Sequence, residues 1–321
     1  FRGTKKINLK KIADKSLEST PSIQKSIVLK RTGGEVTMKT GRDVWWHDEV
    51  QKANSECPAE VMDAEDMLFV LYTSGSTGTP KGMVHTCGGY MVHTAHTFVN
   101  VFQYQENDIY WCSADVGWIT GHSYIVYAPL VVGATTVMFE GVPTFPDGGR
   151  FWEVIDKHQI THFYTAPTAI RALEKQPLEL VEKHSLSSLK ILGSVGEPIN
   201  EEAWHWYDKH IGKGKCPIVD TWWQTETGGM MIATYAGVTP QKPTFAGLPM
   251  LGVDPVLLDE KGEIIEGNPA EGRLAIKSPW CSIARTIYGN HKRYKDTYFS
   301  AFDNMYFTGD GALRDENGFY R

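Results

Sequence analysis

Met67-Leu-Phe-Val-Leu-Tyr72 runs directly into Thr73-Ser-Gly-Ser-Thr-Gly-Thr-Pro-Lys-Gly82. The first six residues form an apolar run of strand length and read as a buried strand. The ten that follow pack hydroxyl side chains, three glycines and one lysine into a single loop. Glycine lets backbone N–H groups approach an anion closely, hydroxyls add donors, and Lys81 adds a point charge. That is the chemistry of a phosphate-handling loop. It is not a Walker A loop, because Gly82 rather than Ser or Thr follows the lysine. A flexible Gly/Ser connector is the plainer alternative. A lysine behind a proline in so dense a hydroxyl cluster argues against it.

Downstream of this loop the chain alternates helix and strand signals. Residues 150–158 and 168–175 have helical spacing, while 161–165, 190–193 and 218–222 read as strands. Asn200 is a candidate helix cap, with Glu201 and Glu202 in the first turn and Gly212 closing the helix. The stretch from Tyr124 to Phe139 reads as a buried helix running into a buried strand. Such alternation implies an α/β fold with mixed or parallel sheets flanked by helices. After Gly247 the pattern changes to a hairpin, 256–259 and 263–266 about the turn Glu260-Lys-Gly262, and a strand at 272–277. This predicts a small β-rich, barrel-like subdomain. Three segments follow: a basic start and linker over 1–65, an α/β core over 66–246 and the β-rich part over 247–321. Asp315-Glu-Asn-Gly318 is a turn signal, and residues 319–321 begin a return strand, so the chain reads as the middle of something longer.

Composition narrows the class. A 41% hydrophobic and 22% charged chain is an ordinary globular one. Net charge is −6, which does not suggest nucleic-acid binding. Residues 1–31 carry nine Lys/Arg against Asp14 and Glu18, a local +7. Either this run is a solvated face, or it docks a phosphorylated ligand. Cys57, Cys87, Cys112, Cys216 and Cys281 are widely spaced and odd in number, which favours free thiols in a reducing compartment, with the cytoplasm as expected location. Phe1 is no natural start, so an upstream targeting segment stays open. No apolar stretch is long enough to span a membrane, and His93 and His96 lack the further ligand a metal site needs.

Three more stretches carry the functional reading: Gly193-Ser-Val-Gly-Glu-Pro-Ile199, Asp220-Thr-Trp-Trp-Gln-Thr-Glu-Thr-Gly228 and Tyr306-Phe-Thr-Gly-Asp-Gly-Ala312. From the residues alone, Asp310 between two glycines is open between a turn aspartate and a ribose acceptor. Together with the loop at 73–82, and in this order, the stretches resemble the acyl-adenylate-forming superfamily of acyl-CoA synthetases, luciferases and peptide-synthetase adenylation domains. Their wording is similar to its AMP-forming acetyl-CoA synthetase branch, and the resemblance runs through essentially all 321 residues.

The resemblance implies an acid–thiol ligase that uses ATP, Mg²⁺ and coenzyme A, with small-molecule substrates, no nucleic acid or membrane partner, and an oligomeric state left open. Acetate is the expected acid and propionate the runner-up; a non-catalytic adenylate-binding module is the alternative of a different class. It assigns Lys81, Thr225 and Glu226 to catalysis, with Glu226 as Mg²⁺ ligand. Thr73, Ser74, Gly75, Ser76, Thr77 and Gly78 would hold phosphates. Gly196, Glu197, Pro198, Asp220, Thr221, Trp222, Trp223, Gln224 and Thr225 would wrap the adenylate, and Asp310 the ribose. Ile119, Thr120, Val195 and Trp223 would line the acid pocket. Arg2, Lys5, Thr120 and Thr144 would meet CoA, although Lys5 stands where arginine, and Thr144 where asparagine, is expected. The resemblance also implies a mobile C-terminal domain beyond this chain, without which the chain alone would not turn over.

Overall fold

The computed structural model describes residues 1–74 and 78–321. The chain divides into two compact units, Phe1–Val61 with Glu140–Pro146, and Met62–Phe139 with Asp147–Arg321.

The smaller unit holds helix α1 (Leu9–Leu17), strands β1 (Ser26–Val28) and β2 (Asp43–Trp45), which pair in parallel, and helix α2 (Trp46–Lys52). The Asn8 side chain caps α1 by accepting from the Lys11 amide at 3.0 Å. No residue of α1 is buried, so apolar packing does not anchor it. Charge does: the buried Asp43 carboxylate takes Lys10 at 2.8 Å and Arg42 at 2.5 Å, and Asp14 bonds the same two cations. Hydrogen bonding from Arg42 holds the Asp43 carboxyl well below its usual range. Lys10 is thereby withdrawn from the basic run.

In the larger unit, β3 (Met67–Thr73) and β4 (Lys81–Thr86) lead into α3 (Cys87–Phe102) and β5 (Ile109–Cys112). Helix α4 (Ile119–Gly121) continues through a π-helical stretch, His122–Tyr127, into α5 (Ala128–Val131) and then β6 (Thr135–Val137). Next come α6 (Arg150–His158), β7 (His162–Thr165), α7 (Pro167–Glu174), α8 (Glu179–Glu182) and β8 (Ile191–Val195). Helix α9 (Glu201–Trp206) runs into a second π-helical stretch, Tyr207–Gly212, before β9 (Ile218–Trp222), β10 (Ile232–Ala233) and β11 (Leu248–Pro249). The remainder is β12 (Pro255–Leu258), β13 (Ala270–Ile276), β14 (Thr286–Ile287), α10 (His291–Tyr298) and β15 (Tyr306–Arg314).

Seven strands form the main sheet in the order β11-β10-β9-β8-β7-β5-β6. The run from β6 to β9 is parallel, and β10 and β11 add an antiparallel edge. Strand alternation sorts its residues to two faces. Tyr110, Cys112 and Tyr164 pack with Phe98 and Phe102 of α3, while Trp111 and Phe163 pack with Phe151 and Trp152 of α6. Helices on both faces of a largely parallel sheet are the α/β architecture expected from the alternation. Two antiparallel three-stranded sheets, β14-β4-β3 and β12-β13-β15, complete the unit.

Several local expectations need correcting. β3 is a strand but not a buried one: Met67 and Tyr72 are exposed and no residue of it is fully buried. It pairs only with β4, so one edge lacks a neighbouring strand among the described residues. Strand β6 is likewise an edge with no buried residue. Asn200 stands at the N-cap of α9 without making a side-chain cap bond. The C-cap after Gly212 is Lys213, in the left-handed region at φ 52°. The return arm at 263–266 forms a single bridge, Leu258 to Ile264, rather than a strand. The turn at 315–318 is present, and Arg321 and Leu313 exchange backbone hydrogen bonds at 2.8 Å. Among the described residues no helix is long and apolar enough to cross a membrane.

Candidate active site

The site grows from the C-terminal end of β9. Parallel pairing sets Val195 of β8 beside Thr221 of β9, so the residues after each strand emerge at the same sheet edge. Beyond Trp222 the chain makes a turn at Gln224–Gly228 that is held from inside. The Thr227 hydroxyl accepts from the Gln224 amide at 2.9 Å, and the Thr227 carbonyl accepts from Trp280 Nε1 at 2.9 Å and Ser282 Oγ at 2.6 Å. Gly228 sits at φ +77°, and a Cβ there would lie 2.6 Å from the Ser282 carbonyl oxygen, so only glycine fits.

This turn is tied to the strand that starts with Lys81. His85 of β4 bonds the Thr225 carbonyl through Nε2 at 2.8 Å, and burial pushes its pKa down to about 4, so it is neutral at physiological pH. The residues leading into β14 add to the same seam: Ala284 N donates to the Glu226 carbonyl at 2.9 Å, and Arg285 N to the Val84 carbonyl at 2.9 Å. The result sets the Lys81 ammonium 3.3 Å from the Glu226 carboxylate, although 145 residues separate them. The hydroxyl of Tyr298 of α10 also bonds both Lys81 Nζ and Glu226 Oε1. Arg293 of the same helix donates to the carbonyls of Thr79, at 2.9 Å, and Pro80. One short helix thereby holds the end of the loop and its lysine.

A second chain of bonds runs from Tyr298 toward β15. Its ring stacks on Tyr306, with centroids 5.4 Å apart and planes at 19°. Tyr306 donates to Gln224 Oε1 at 2.9 Å, and Gln224 Nε2 donates to Asp310 Oδ2 at 3.0 Å and to the Thr308 carbonyl at 2.8 Å. Trp222 Nε1 reaches the same Oδ2 at 3.2 Å. Two donors on one oxygen fix the Asp310 carboxylate and leave Oδ1 for a further donor.

The remaining candidates fall into groups. Gly75, Ser76 and Thr77 lie outside the described residues. Thr73 pairs with Lys81 across the β3–β4 ladder, and its buried hydroxyl has no partner among the described residues. Ser74 and Gly78 are exposed. Gly196, at φ +95°, ends β8 in a left-handed turn that favours glycine; Glu197 pairs with Arg171 at 2.7 Å, and Pro198 is exposed. Asp220 and Thr221 turn inward. Asp220 Oδ1 accepts from Ser194 Oγ at 2.6 Å and from the Thr221 amide at 3.0 Å, while the Thr221 hydroxyl bonds Tyr164 and the Ser194 carbonyl. These two side chains therefore tie β8 to β9, and the surface of the turn is left to the residues after them.

Trp222 and Trp223 point apart, as adjacent residues must. The Trp223 indole is edge-on to Tyr124, with centroids 5.1 Å apart and planes at 83°, and its Nε1 has no partner among the described residues. Ile119 and Thr120 are half-buried and open the helix that carries Tyr124, and buried Val195 ends β8. Arg2, Lys5 and Thr144 lie exposed in the smaller unit, where Arg2 and Lys5 exchange backbone hydrogen bonds; Thr120 belongs to the larger unit. Among the described residues no cluster of three His, Cys, Asp or Glu is present. Mg²⁺ beside a polyphosphate needs only one or two carboxylates, the rest of its shell being phosphate oxygens and water, so Glu226 fits such an ion.

Burial pushes Asp220 up to about 7, against the lowering effect of Ser194 and the Thr221 amide. A raised carboxyl stabilises the fold below its unfolded pKa, and that contribution is lost as pH rises through about 7. The stability advantage of Asp220→Asn over wild type should therefore grow between pH 4.5 and 8, by up to about 1.4 kcal/mol per pH unit. Denaturant midpoints of both proteins at the two pH values test this; a constant difference would mean an ordinary, ionised Asp220.

Sequence reasoning missed Tyr298, Tyr306 and His85. The four-residue spacing of Tyr294 and Tyr298 was the available signal, since it sets both on one helix face. Comparison with known proteins agrees with the geometry: residues 3–288 match the family described as AMP-binding enzyme. The chain belongs to the AMP-binding enzyme family. Within this family it is 58% identical over 319 residues to an acetyl-coenzyme A synthetase of Alkalilimnicola ehrlichii, covering 99% of this chain and 49% of that protein. It is 57% identical over 320 residues to the acetyl-coenzyme A synthetase of Syntrophobacter fumaroxidans, again covering 49% of the relative. A third similar protein is acetyl-coenzyme A synthetase 2 of Pseudomonas aeruginosa, at 56% identity over 319 residues. The chain thus spans about half the length of the curated relatives it matches.

Proposed function

We infer that this chain is the nucleotide- and acid-binding core of an AMP-forming acetate–CoA ligase, acting within a longer protein. In the first half-reaction an acetate oxygen attacks the α-phosphorus of ATP, the bond to pyrophosphate breaks, and acetyl-AMP forms. In the second, the CoA thiolate attacks the acetyl carbonyl carbon and AMP leaves. Neither step requires a protein nucleophile; both require fixed charge and alignment.

The observation that carries this reading is the connected network Lys81–Tyr298–Glu226 and Tyr306–Gln224–Asp310–Trp222. It groups a cation for the β- and γ-phosphates, a carboxylate for a metal and an oriented carboxylate for a cis-diol. Mg²⁺, when bound, would neutralise phosphate charge beside Glu226. Oδ1 of Asp310, the oxygen that Gln224 and Trp222 do not bond, suits a ribose hydroxyl, Thr225 is the candidate donor to the α-phosphate, and the hydroxyl of Thr73, without a partner among the described residues, is a further donor at the loop's entry. Trp223, backed by Tyr124, is the wall that limits acid length, with Ile119, Thr120 and Val195 around it. Within the smaller unit, Arg2, Lys5 and Thr144 are the candidates for CoA. The printed names of the relatives support acetate as the acid, and the exposed free thiols Cys57 and Cys281 suit the cytoplasm.

Pyrophosphate release by the full-length protein, measured with acetate, propionate and butyrate, should fall in that order. The step from propionate to butyrate should be the larger, since a rigid wall excludes by clash whereas one methylene of apolar contact is worth only about 1–3 kcal/mol. Preference for propionate would make the protein a propionyl-CoA synthetase. Nucleotide binding with no acid-dependent release would make it an adenylate-binding module without turnover.

A further inference from the structure

We propose that Tyr298 is a positioning residue for adenylation: its hydroxyl bonds both members of the Lys81–Glu226 pair and orients them toward a metal–nucleotide. The proposal rests on the reading of this site as an adenylation centre.

Lys81 and Glu226 are both largely withdrawn from solvent, with side-chain exposures of 14% and 12%, and are 3.3 Å apart. Opposite charges in such surroundings attract strongly. They form a direct pair, which an incoming polyphosphate and its cation would have to loosen. Tyr298 adds a neutral group that shares the bonding of both. Its oxygen accepts from Lys81 Nζ, and its own proton goes to Glu226 Oε1. Lys81 also lies 4.8 Å from the centre of the Tyr298 ring, where the π face favours a cation.

The hydroxyl is held in place from three sides. Asn290 caps α10 by accepting from the Arg293 amide at 2.9 Å, which fixes where the helix starts. Tyr294, one turn before Tyr298, is anchored through its hydroxyl to the Ala284 carbonyl oxygen. Tyr306 stacks beneath the ring and is itself buried. A side chain with so little rotational freedom can define a position for two flexible charged partners. A tyrosine serving only as packing would not need its hydroxyl on either charge.

Tyr298→Phe removes the hydroxyl and keeps the ring on Tyr306. In the full-length protein the expected results are a roughly tenfold slower maximal rate of acetate-dependent pyrophosphate release, and a several-fold higher half-saturating Mg²⁺ concentration. AMP affinity should stay within about twofold, because AMP has neither β- nor γ-phosphate. In a Lys81→Ala background the same substitution should add almost no further loss, since the hydroxyl acts through that pair. A wild-type rate and Mg²⁺ dependence in Tyr298→Phe would overturn the proposal. So would a matched loss of AMP affinity, which marks a packing role, or a full further tenfold loss in the Lys81→Ala background. Mg²⁺-dependent ATP binding, read by calorimetry, separates this from the functional reading. If wild type releases no pyrophosphate with any acid, the adenylation reading falls, while a several-fold weaker Mg²⁺-dependent ATP affinity in Tyr298→Phe still supports the positioning role and an unchanged affinity ends it.

Discussion

Lys81→Ala in the full-length protein should slow acetate-dependent pyrophosphate release by roughly 10²–10³-fold and leave AMP affinity almost unchanged. The asymmetry follows from placement. Lys81 opens β4, directly after the loop, and its ammonium faces Glu226 and Tyr298 rather than the Asp310 end of the site. In the proposed reaction, charge that develops on departing pyrophosphate would lie at this end, which AMP would not reach. A fixed cation stabilises that charge more in the transition state than in the ground state, so the loss falls mainly on the rate. Titrating AMP by fluorescence or calorimetry alongside the pyrophosphate assay separates the two effects. Equal loss of both would assign Lys81 to holding the turn at Glu226 rather than to the reaction.

Trp223→Gly should invert the acid preference. Acetate use should fall at least about tenfold, while longer linear acids such as valerate gain by a similar factor, because the rigid wall is gone and each added methylene finds apolar contact. Some stability is lost as well: deleting a large aromatic side chain costs about 3–5 kcal/mol when it is fully buried, and less for this half-buried one. Tyr124 loses its edge-to-face partner in the same change. The ratio between acids, measured well below the unfolding temperature, is therefore the quantity to read. An acid profile that keeps its shape would return Trp223 to the role of a core aromatic.

The elements that were legible in the sequence are those where one signal dominates. The strand at Ile218–Trp222 was readable because Ile218, Val219 and Trp222 follow directly on the breakers Gly214 and Pro217, and α6 because Phe151, Trp152, Val154 and Ile155 recur at helical spacing. Exposure was harder to read. The residues of β3 are as apolar as those of a central strand, yet β3 lies at the edge of a small sheet, and edge position is a property of topology rather than of composition. Lys213 took the left-handed cap that glycine would be expected to fill, with Gly214 immediately after it at φ +65°. Asp220 sits in the same polar stretch as Gln224 and Glu226, and only strand alternation decides that its carboxyl turns inward. Tyr298 stayed hidden because its partners are 217 and 72 residues away in the chain. Side-chain bonds at such separations leave no local pattern.

The π-helical stretch His122–Tyr127 has a consequence for how this molecule can vary. A wider helical turn changes the angle between successive side chains, and here two consecutive ones serve the same loop: Ser123 donates to the Gly228 carbonyl at 2.7 Å, and Tyr124 accepts from the Met230 amide at 2.9 Å. Tyr124 is also the backing of Trp223. The proposed acid wall and the turn that carries Glu226 are thus hung on one bracket. Drift in this helix would move Trp223 and Glu226 together, so if Trp223 gauges the acid, a lineage adopting a new acid has more freedom to alter Trp223 itself than the scaffold behind it.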